Sequence, residues 1–244
     1  MTRTFRLFFG LTVSLSFCLT IFAQDISREA LRDKIQAKRA ELADLEKQFL
    51  EPTAADRTQF ATLLAQPNTG LIRLLPRENY DAAVVQNNAK TLTTRGGGAY
   101  YSFKRLTHEY GYGSDVELAS NHLSVGGFGG YSYGLMLKLG DIGLEDLTSQ
   151  LPAVRTVLEY NPARTEAEAR LEHRKFGTGA DVQGFMFKSR LPLEINTTYV
   201  LRSLNYPDSD IVVGLRVVRK DTDDSIIVAF KVIKDFSVPK TASK

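Results

Sequence analysis

Cysteine is almost absent from this chain of 244 residues, which has only Cys18, inside an uncharged apolar run near the N-terminus. If that run is removed as a leader, the remaining chain has no thiol. This excludes disulfide bonds, cysteine nucleophiles and cysteine-ligated metal sites. Cys18 follows the bulky Phe17 rather than a small residue, so it does not match the position of a lipid-modified cysteine. Without disulfides, a chain of this length must be stabilised by burial of an apolar core.

Several motifs of common chemistry are absent as well. The sequence has no HExxH zinc motif and no GxSxG nucleophile motif. Its glycine-rich segment at 95–98 lacks the lysine and the Ser/Thr of a phosphate-binding loop. The formal net charge is only +3, and Arg3 and Arg6 would leave with the leader, so the chain has no general attraction to nucleic acid. We therefore predict no cofactor, no metal ion and no nucleic-acid partner.

Residues 1–23 have the layout of a secretory signal peptide. Arg3 and Arg6 form a basic start, an uncharged apolar stretch follows, and Ala23 supplies a small residue before the cleavage point. The segment predicts export, to a periplasm or into the medium, with a mature chain beginning near Gln24. The alternative is an uncleaved N-terminal anchor, in which case this segment alone would contact a membrane.

Residues 24–51 form the next predicted segment, a helical arm of mixed charge that ends before Pro52. Its apolar residues recur every three or four positions, which is typical of an amphipathic helix. Lys38 interrupts the series, and the arm is short for a coiled coil. The arm is therefore predicted to be a spacer or a helix lying on its own domain, with self-association through residues 25–51 as the alternative.

Residues 52–238 predict a single α+β domain, and residues 239–244 a flexible tail. Thr53 with Asp56 should cap a short helix that extends through Leu64. A longer helix should begin at Pro152, and another should be capped by Thr165 with Glu168. Short runs rich in β-branched and aromatic residues predict an antiparallel sheet of hairpins or a meander. The polar turn at 221–224 should join the two clearest strands. The predicted strands are 71–75, 99–105, 115–119, 133–139, 181–188, 197–205, 210–220 and 225–236.

Glycine and tyrosine are concentrated in one segment, 96–143, which holds twelve of the 18 glycines and six of the ten tyrosines. Tyrosine rings separated by glycines suit carbohydrate or aromatic ligands, because rings stack and hydroxyls hydrogen-bond. The alternative is structural, with glycines at bulges and turns and tyrosines packed across neighbouring strands. The candidate ligand-binding residues are Tyr101, Tyr112, Tyr131 and Tyr133.

Histidine offers the only conventional catalytic interpretation, since the chain has three. His108 and His122 flank the predicted strand that begins near Asp115, so a hairpin could bring their side chains together. His108 could then act as a base that is oriented by Asp115 or Glu109. His173 lies in a charged helix and is predicted to face solvent. The leading hypothesis is an exported, non-enzymatic binding or structural module of the cell envelope, with an envelope protein or a glycan as partner. The alternative is an extracytoplasmic hydrolase centred on His108.

Overall fold

The computed structural model describes residues 27–80, 98–108, 113–128, 131–206 and 208–238. The predicted signal peptide, the predicted tail and the candidate Tyr112 lie outside the described residues. Contacts within the chain divide it into two units, Met1–Ala43 and Asp44–Lys244. Among the described residues, no helix combines the length and the apolar character needed to cross a membrane.

The fold is α+β with antiparallel strands, as predicted. The helices of the described residues are α1 (Arg28–Leu50), α2 (Ala54–Gln59), α3 (Ala61–Leu64), α4 (Arg77–Tyr80), α5 (Pro152–Glu159) and α6 (Glu166–Thr178). The strands are β1 (Thr69–Leu74), β2 (Tyr100–Tyr101), β3 (Val116–Ala119), β4 (His122–Val125), β5 (Tyr133–Gly140), β6 (Ala180–Val182), β7 (Phe185–Phe187), β8 (Arg190–Pro192), β9 (Thr197–Asn205), β10 (Ser209–Lys220) and β11 (Ile226–Phe236).

Helix α1 occupies almost the whole predicted arm, and none of its residues is buried. The Ser27 hydroxyl accepts a hydrogen bond from the Ala30 amide at 3.1 Å, which satisfies one of the free amides at the start of the helix. The short helix α2 follows Pro52 and is capped by Thr53, whose hydroxyl accepts from the Asp56 amide while the Asp56 carboxylate accepts from the Thr53 amide.

The larger sheet contains five strands in the order β1-β11-β10-β9-β5, all antiparallel. Both of its faces are covered, so strand β9 is buried at every position and β10 over most of its length, rather than at alternate positions. On one face, side chains such as Tyr199, Val213 and Val228 join a core shared with the smaller sheet, which has the order β2-β3-β4-β8.

The opposite face of the larger sheet packs against α5 and α6. Their buried side chains, including Val154, Val157 and Phe176, meet Tyr133 and Val200 of the sheet in a second core. As predicted, α5 begins at Pro152, and Thr165 forms a capping box with Glu168 at the start of α6. The larger sheet is therefore the middle of three layers, with the smaller sheet on one side and the two helices on the other.

Two strand predictions are corrected by the structure. The predicted strand 99–105 is extended only over β2, because the chain turns back at once and the Ser102 amide bonds to the Thr107 carbonyl. The predicted strand 181–188 is instead the hairpin β6–β7, since Gln183 and Gly184 both have positive φ angles, 55° and 85°, and form a two-residue turn. The sequence also does not predict β4 and β8, because strands of four and three residues are too short to show an alternation of apolar and polar residues.

Glycine at position 134 allows β5 to approach the end of β4. A β-carbon at Gly134 would lie 2.8 Å from the backbone carbonyl of Val125, too close for the backbone to give way easily. We expect Gly134→Ala to lower the free energy of unfolding by about 1–3 kcal/mol, through overpacking between the two sheets. Urea denaturation provides the measurement.

Gly177→Ala is the matched control, because Gly177 lies within α6 and a β-carbon added there would have no neighbour within 4 Å. Alanine there should raise stability by up to about 1 kcal/mol through its higher helix propensity. Equal effects of the two substitutions would contradict a close approach of the strands at Gly134.

Candidate functional site

His108 is half-buried beside β1 and is held by the backbone. Its Nε2 lies 2.7 Å from the carbonyl oxygen of Arg73, and because a carbonyl can only accept, this nitrogen carries the proton. The imidazole also meets the ring of Tyr101 edge-on, with centroids 5.3 Å apart. Burial lowers the pKa of His108, so the ring is neutral near pH 7.

Asp115 is buried between the two sheets. One carboxylate oxygen accepts from the Phe103 amide at 2.7 Å, and the other accepts from Nδ2 of Asn205, on β9, at 2.9 Å. Burial raises the pKa of Asp115 to about 6, against hydrogen bonds from Ser203 and from backbone amides that act to lower it. The carboxyl group thus ties the segment before β3 to the larger sheet.

His122 lies at the start of β4, where its Nδ1 is 2.7 Å from the Ser120 carbonyl oxygen. His108, Asp115 and His122 therefore each have separate partners, and no hydrogen bond joins any two of these described residues. Nor do the described residues contain a group of three or more His, Cys, Asp or Glu side chains that could hold a metal ion. The geometry that a hydrolytic site would need is not formed by these three residues.

Two of the candidate tyrosines contribute to the interior. Tyr101 is buried in the core between the sheets. Tyr133 is fully buried on the helix side, where its hydroxyl accepts from the Ala163 amide at 2.9 Å and lies 3.3 Å from the Tyr160 hydroxyl. The alternation of strand β5 places the Tyr133 ring in the core on the helix side, and Tyr101 lies in the core between the sheets, so neither ring is available on an open face.

Tyr131, by contrast, is half-buried and lines a surface cavity of about 230 Å³. Its ring leans on that of Tyr206, with centroids 5.5 Å apart. We call this cavity the Tyr131 pocket. Its lining residues come from the glycine/tyrosine segment and from one face of α6: Gly127, Tyr131, Ser132, Arg170, His173 and Arg174.

The spacing of Arg170, His173 and Arg174 places all three on one face of α6, because residues three and four positions apart are neighbours on a helix. His173 reaches across to Gly127, where a β-carbon would lie 2.5 Å from the imidazole Cε1. Gly127 also has a φ angle of 77°, which favours glycine. The missing side chain at Gly127 therefore lets the helix approach the segment that carries Tyr131.

The Tyr131 pocket is electrostatically positive. Arg170 is paired with Glu166 one turn earlier in α6, with an N–O distance of 2.6 Å. Arg174 forms no ion pair with any residue in the described part of the chain, and Glu172 is engaged by Lys175 and by the Tyr160 hydroxyl. Guanidinium groups recognise carboxylate, phosphate and sulfate oxygens, so this arrangement suits an anionic group.

The sequence indicated Tyr131 but not its neighbours from α6. His173 was predicted to face solvent, and in the structure it is exposed but covers Gly127. Arg170 and Arg174 are one helical turn apart, and this spacing was the only sequence feature that indicated a basic face on α6. Packing of α6 on the sheet brings this helix face to Gly127 and Tyr131, and no local sequence pattern predicts that packing.

A second cavity, of about 530 Å³, lies at the end of α5. Arg202 and Asp210, both buried, form part of its wall and are paired with each other at 2.7 Å. Tyr160 and Phe236 also line it, and the Arg202 guanidinium lies 4.3 Å from the centre of the Phe236 ring. Because Arg202 and Asp210 neutralise each other, neither offers an unpaired charge to a ligand.

Comparison with known protein families gives no match, and neither curated proteins nor solved structures yield a similar chain.

Proposed function

We propose that the protein is a non-enzymatic ligand-binding module of the cell envelope, and that the Tyr131 pocket binds an acidic sugar of an envelope glycan. The observation that carries the proposal is the pairing of two guanidinium groups with a half-exposed tyrosine ring in one cavity. A tyrosine ring stacks on a sugar face, while arginine side chains bind its carboxylate or sulfate. The predicted signal peptide is the reason for placing the ligand outside the cytoplasm.

The size of the pocket limits the ligand. Its volume of about 230 Å³ is below the usual range of pockets for drug-sized molecules, roughly 300–1,000 Å³. One charged sugar ring or chain end is therefore a better match than a long stretch of polymer. The hydrolase alternative centred on His108 stays a prediction without a supporting observation, since His108 donates to the Arg73 carbonyl.

Arg174→Gln should weaken binding of a uronic-acid oligosaccharide about tenfold, because a hydrogen bond to a charged group contributes about 1.5 kcal/mol. Arg170→Gln should have a smaller effect, since Arg170 already shares its charge with Glu166. Isothermal titration calorimetry with the oligosaccharide, and with the same oligosaccharide after its carboxylates are reduced to alcohols, provides the measurement.

Arg155→Gln is the matched control, because Arg155 is an exposed arginine on α5 that does not line the Tyr131 pocket. Equal losses in the Arg155 and Arg174 variants would indicate general charge attraction and contradict a site. Equal affinity for the reduced oligosaccharide would contradict recognition of the acidic group. Binding of an acidic peptide but not of the oligosaccharide would overturn the assignment of a glycan.

A further inference from the structure

Helix α1 carries an exposed apolar stripe along one side. Leu31, Ile35, Leu42 and Leu45 are each 46–56% exposed, although leucine and isoleucine are residues that proteins usually bury. They follow the three-and-four spacing of a coiled-coil seam, with Lys38 at the position between Ile35 and Leu42. We call these four residues the α1 stripe.

The charges of α1 are separated along its length. Residues 28–40 carry five basic and two acidic side chains, whereas residues 41–50 carry three acidic and one basic side chain. The first half of the helix is therefore positive and the second half negative. A helix with this distribution is complementary to a second copy of itself running in the opposite direction, because each positive half then lies beside a negative half.

We infer that α1 associates with α1 of a second copy of this chain, in antiparallel orientation, through the α1 stripe. In an alignment centred near Ala40, Ile35 of one copy packs beside Leu45 of the other, and Lys38 beside Leu42. The alkyl part of Lys38 then covers an apolar neighbour while its ammonium group reaches solvent. At the ends of the seam, Arg32 lies near Glu46 of the second copy.

The parallel arrangement is disfavoured by the same residues. In a parallel, in-register pair, Lys38 would meet Lys38 of the second copy inside the seam. Lys34 would lie beside Arg39, and Glu41 beside Glu46, so both flanking pairs would have charges of one sign. The antiparallel pair has like charges only near its twofold axis, at Arg39 and at Glu41, and Glu41 is already paired with Lys38 in its own helix. The α1 stripe shares no residue with the Tyr131 pocket.

Protein expressed from the full-length sequence should show concentration-dependent dimerisation in sedimentation equilibrium. Leu42→Gln combined with Leu45→Gln should weaken the dimer at least tenfold, because each copy loses two leucines from the seam. Ala40→Gln is the matched control, since residue 40 lies on the opposite side of the helix and its substitution should leave the dimer intact. Circular dichroism of each variant checks that the fold is unchanged, as expected for side chains that are half exposed.

The orientation is tested separately with a spin label at Glu29→Cys, in a Cys18→Ser background. In the antiparallel dimer, two labels at residue 29 should lie roughly 30 Å apart, from a rise of 1.5 Å per residue. In a parallel dimer they should lie about 10 Å apart. A monomer at all concentrations, dimerisation unaffected by the double leucine variant, or the short distance would each overturn the inference.

Discussion

Asp210→Ala should lower the free energy of unfolding by about 3–5 kcal/mol, because it leaves the buried guanidinium of Arg202 without its counter-ion. The two side chains are only 3% and 1% exposed, and two parallel hydrogen bonds of 2.7 and 2.8 Å join them. They lie on neighbouring strands, where Asp210 of β10 is paired with Leu204 of β9.

Arg202 also holds the end of α5. Its remaining guanidinium nitrogen donates to the carbonyl oxygens of Val157 and Tyr160, at 3.1 and 2.8 Å. These are among the carbonyls that a helix leaves unsatisfied at its C-terminus, where positive charge is also favoured by the helix dipole. Loss of Asp210 would free Arg202 to move, so the end of α5 should loosen with it.

Equilibrium unfolding in urea provides the measurement, with Asp141→Ala as the control. Asp141 is also paired with an arginine, Arg216, but its side chain is 80% exposed, so its loss should cost less than about 1 kcal/mol. The double substitution Arg202→Met with Asp210→Leu should recover part of the stability, since it removes both buried charges but also the hydrogen bonds from Arg202 to the end of α5. Similar losses at Asp210 and Asp141 would contradict the importance of burial.

Asp115 should make the protein more stable as the pH falls from about 6 to about 4. The pKa of Asp115 is raised by burial from 3.8 to about 6, so the folded protein keeps a proton in this range that the unfolded chain releases. Protonation below the folded pKa therefore favours the folded state. The shift corresponds to about 3 kcal/mol between pH 6 and pH 4.

His108 acts in the opposite direction. Burial lowers its pKa, so the unfolded chain binds a proton that the folded protein does not, and stability is lost as the pH falls below the ordinary histidine range. The raw pH profile of stability therefore contains both effects. The difference between the wild type and Asp115→Asn isolates the carboxyl group, because His108 is present in both proteins.

The measurement is the free energy of unfolding of wild type and Asp115→Asn at a series of pH values. Asparagine should remove the rise in stability toward pH 4 that is due to Asp115. Compared with the wild type at the same pH, the variant should therefore be more stable at pH 7 than it is at pH 4. Asp56→Asn is the control, since Arg219 lowers the pKa of Asp56 to about 2. Titration of Asp56 therefore changes the stability only at pH values below about 4. Parallel profiles for wild type and Asp115→Asn would contradict the raised pKa.

Features whose signals lie within a few residues can be predicted from the amino-acid sequence alone. Thr53 and Thr165 predict the starts of α2 and α6, because a capping box uses only side chains and amides three positions apart. The hairpin β10–β11 follows in the same way from the polar turn at 221–224 between two β-branched runs. These elements are specified by interactions between residues close in sequence, so they can be predicted without knowledge of the rest of the fold.

Contacts between distant segments, in contrast, become known only from the folded structure. Nothing near Thr69 indicates that β1 pairs with β11, and nothing near Asp115 indicates that Asn205 will bind it. The same holds for the Tyr131 pocket, where Arg174 and Gly127 are brought together by packing of α6 on the sheet. Sequence pattern gives the inward or outward face of one strand, but contacts between distant segments are selected by how well complete layers bury their apolar surfaces together.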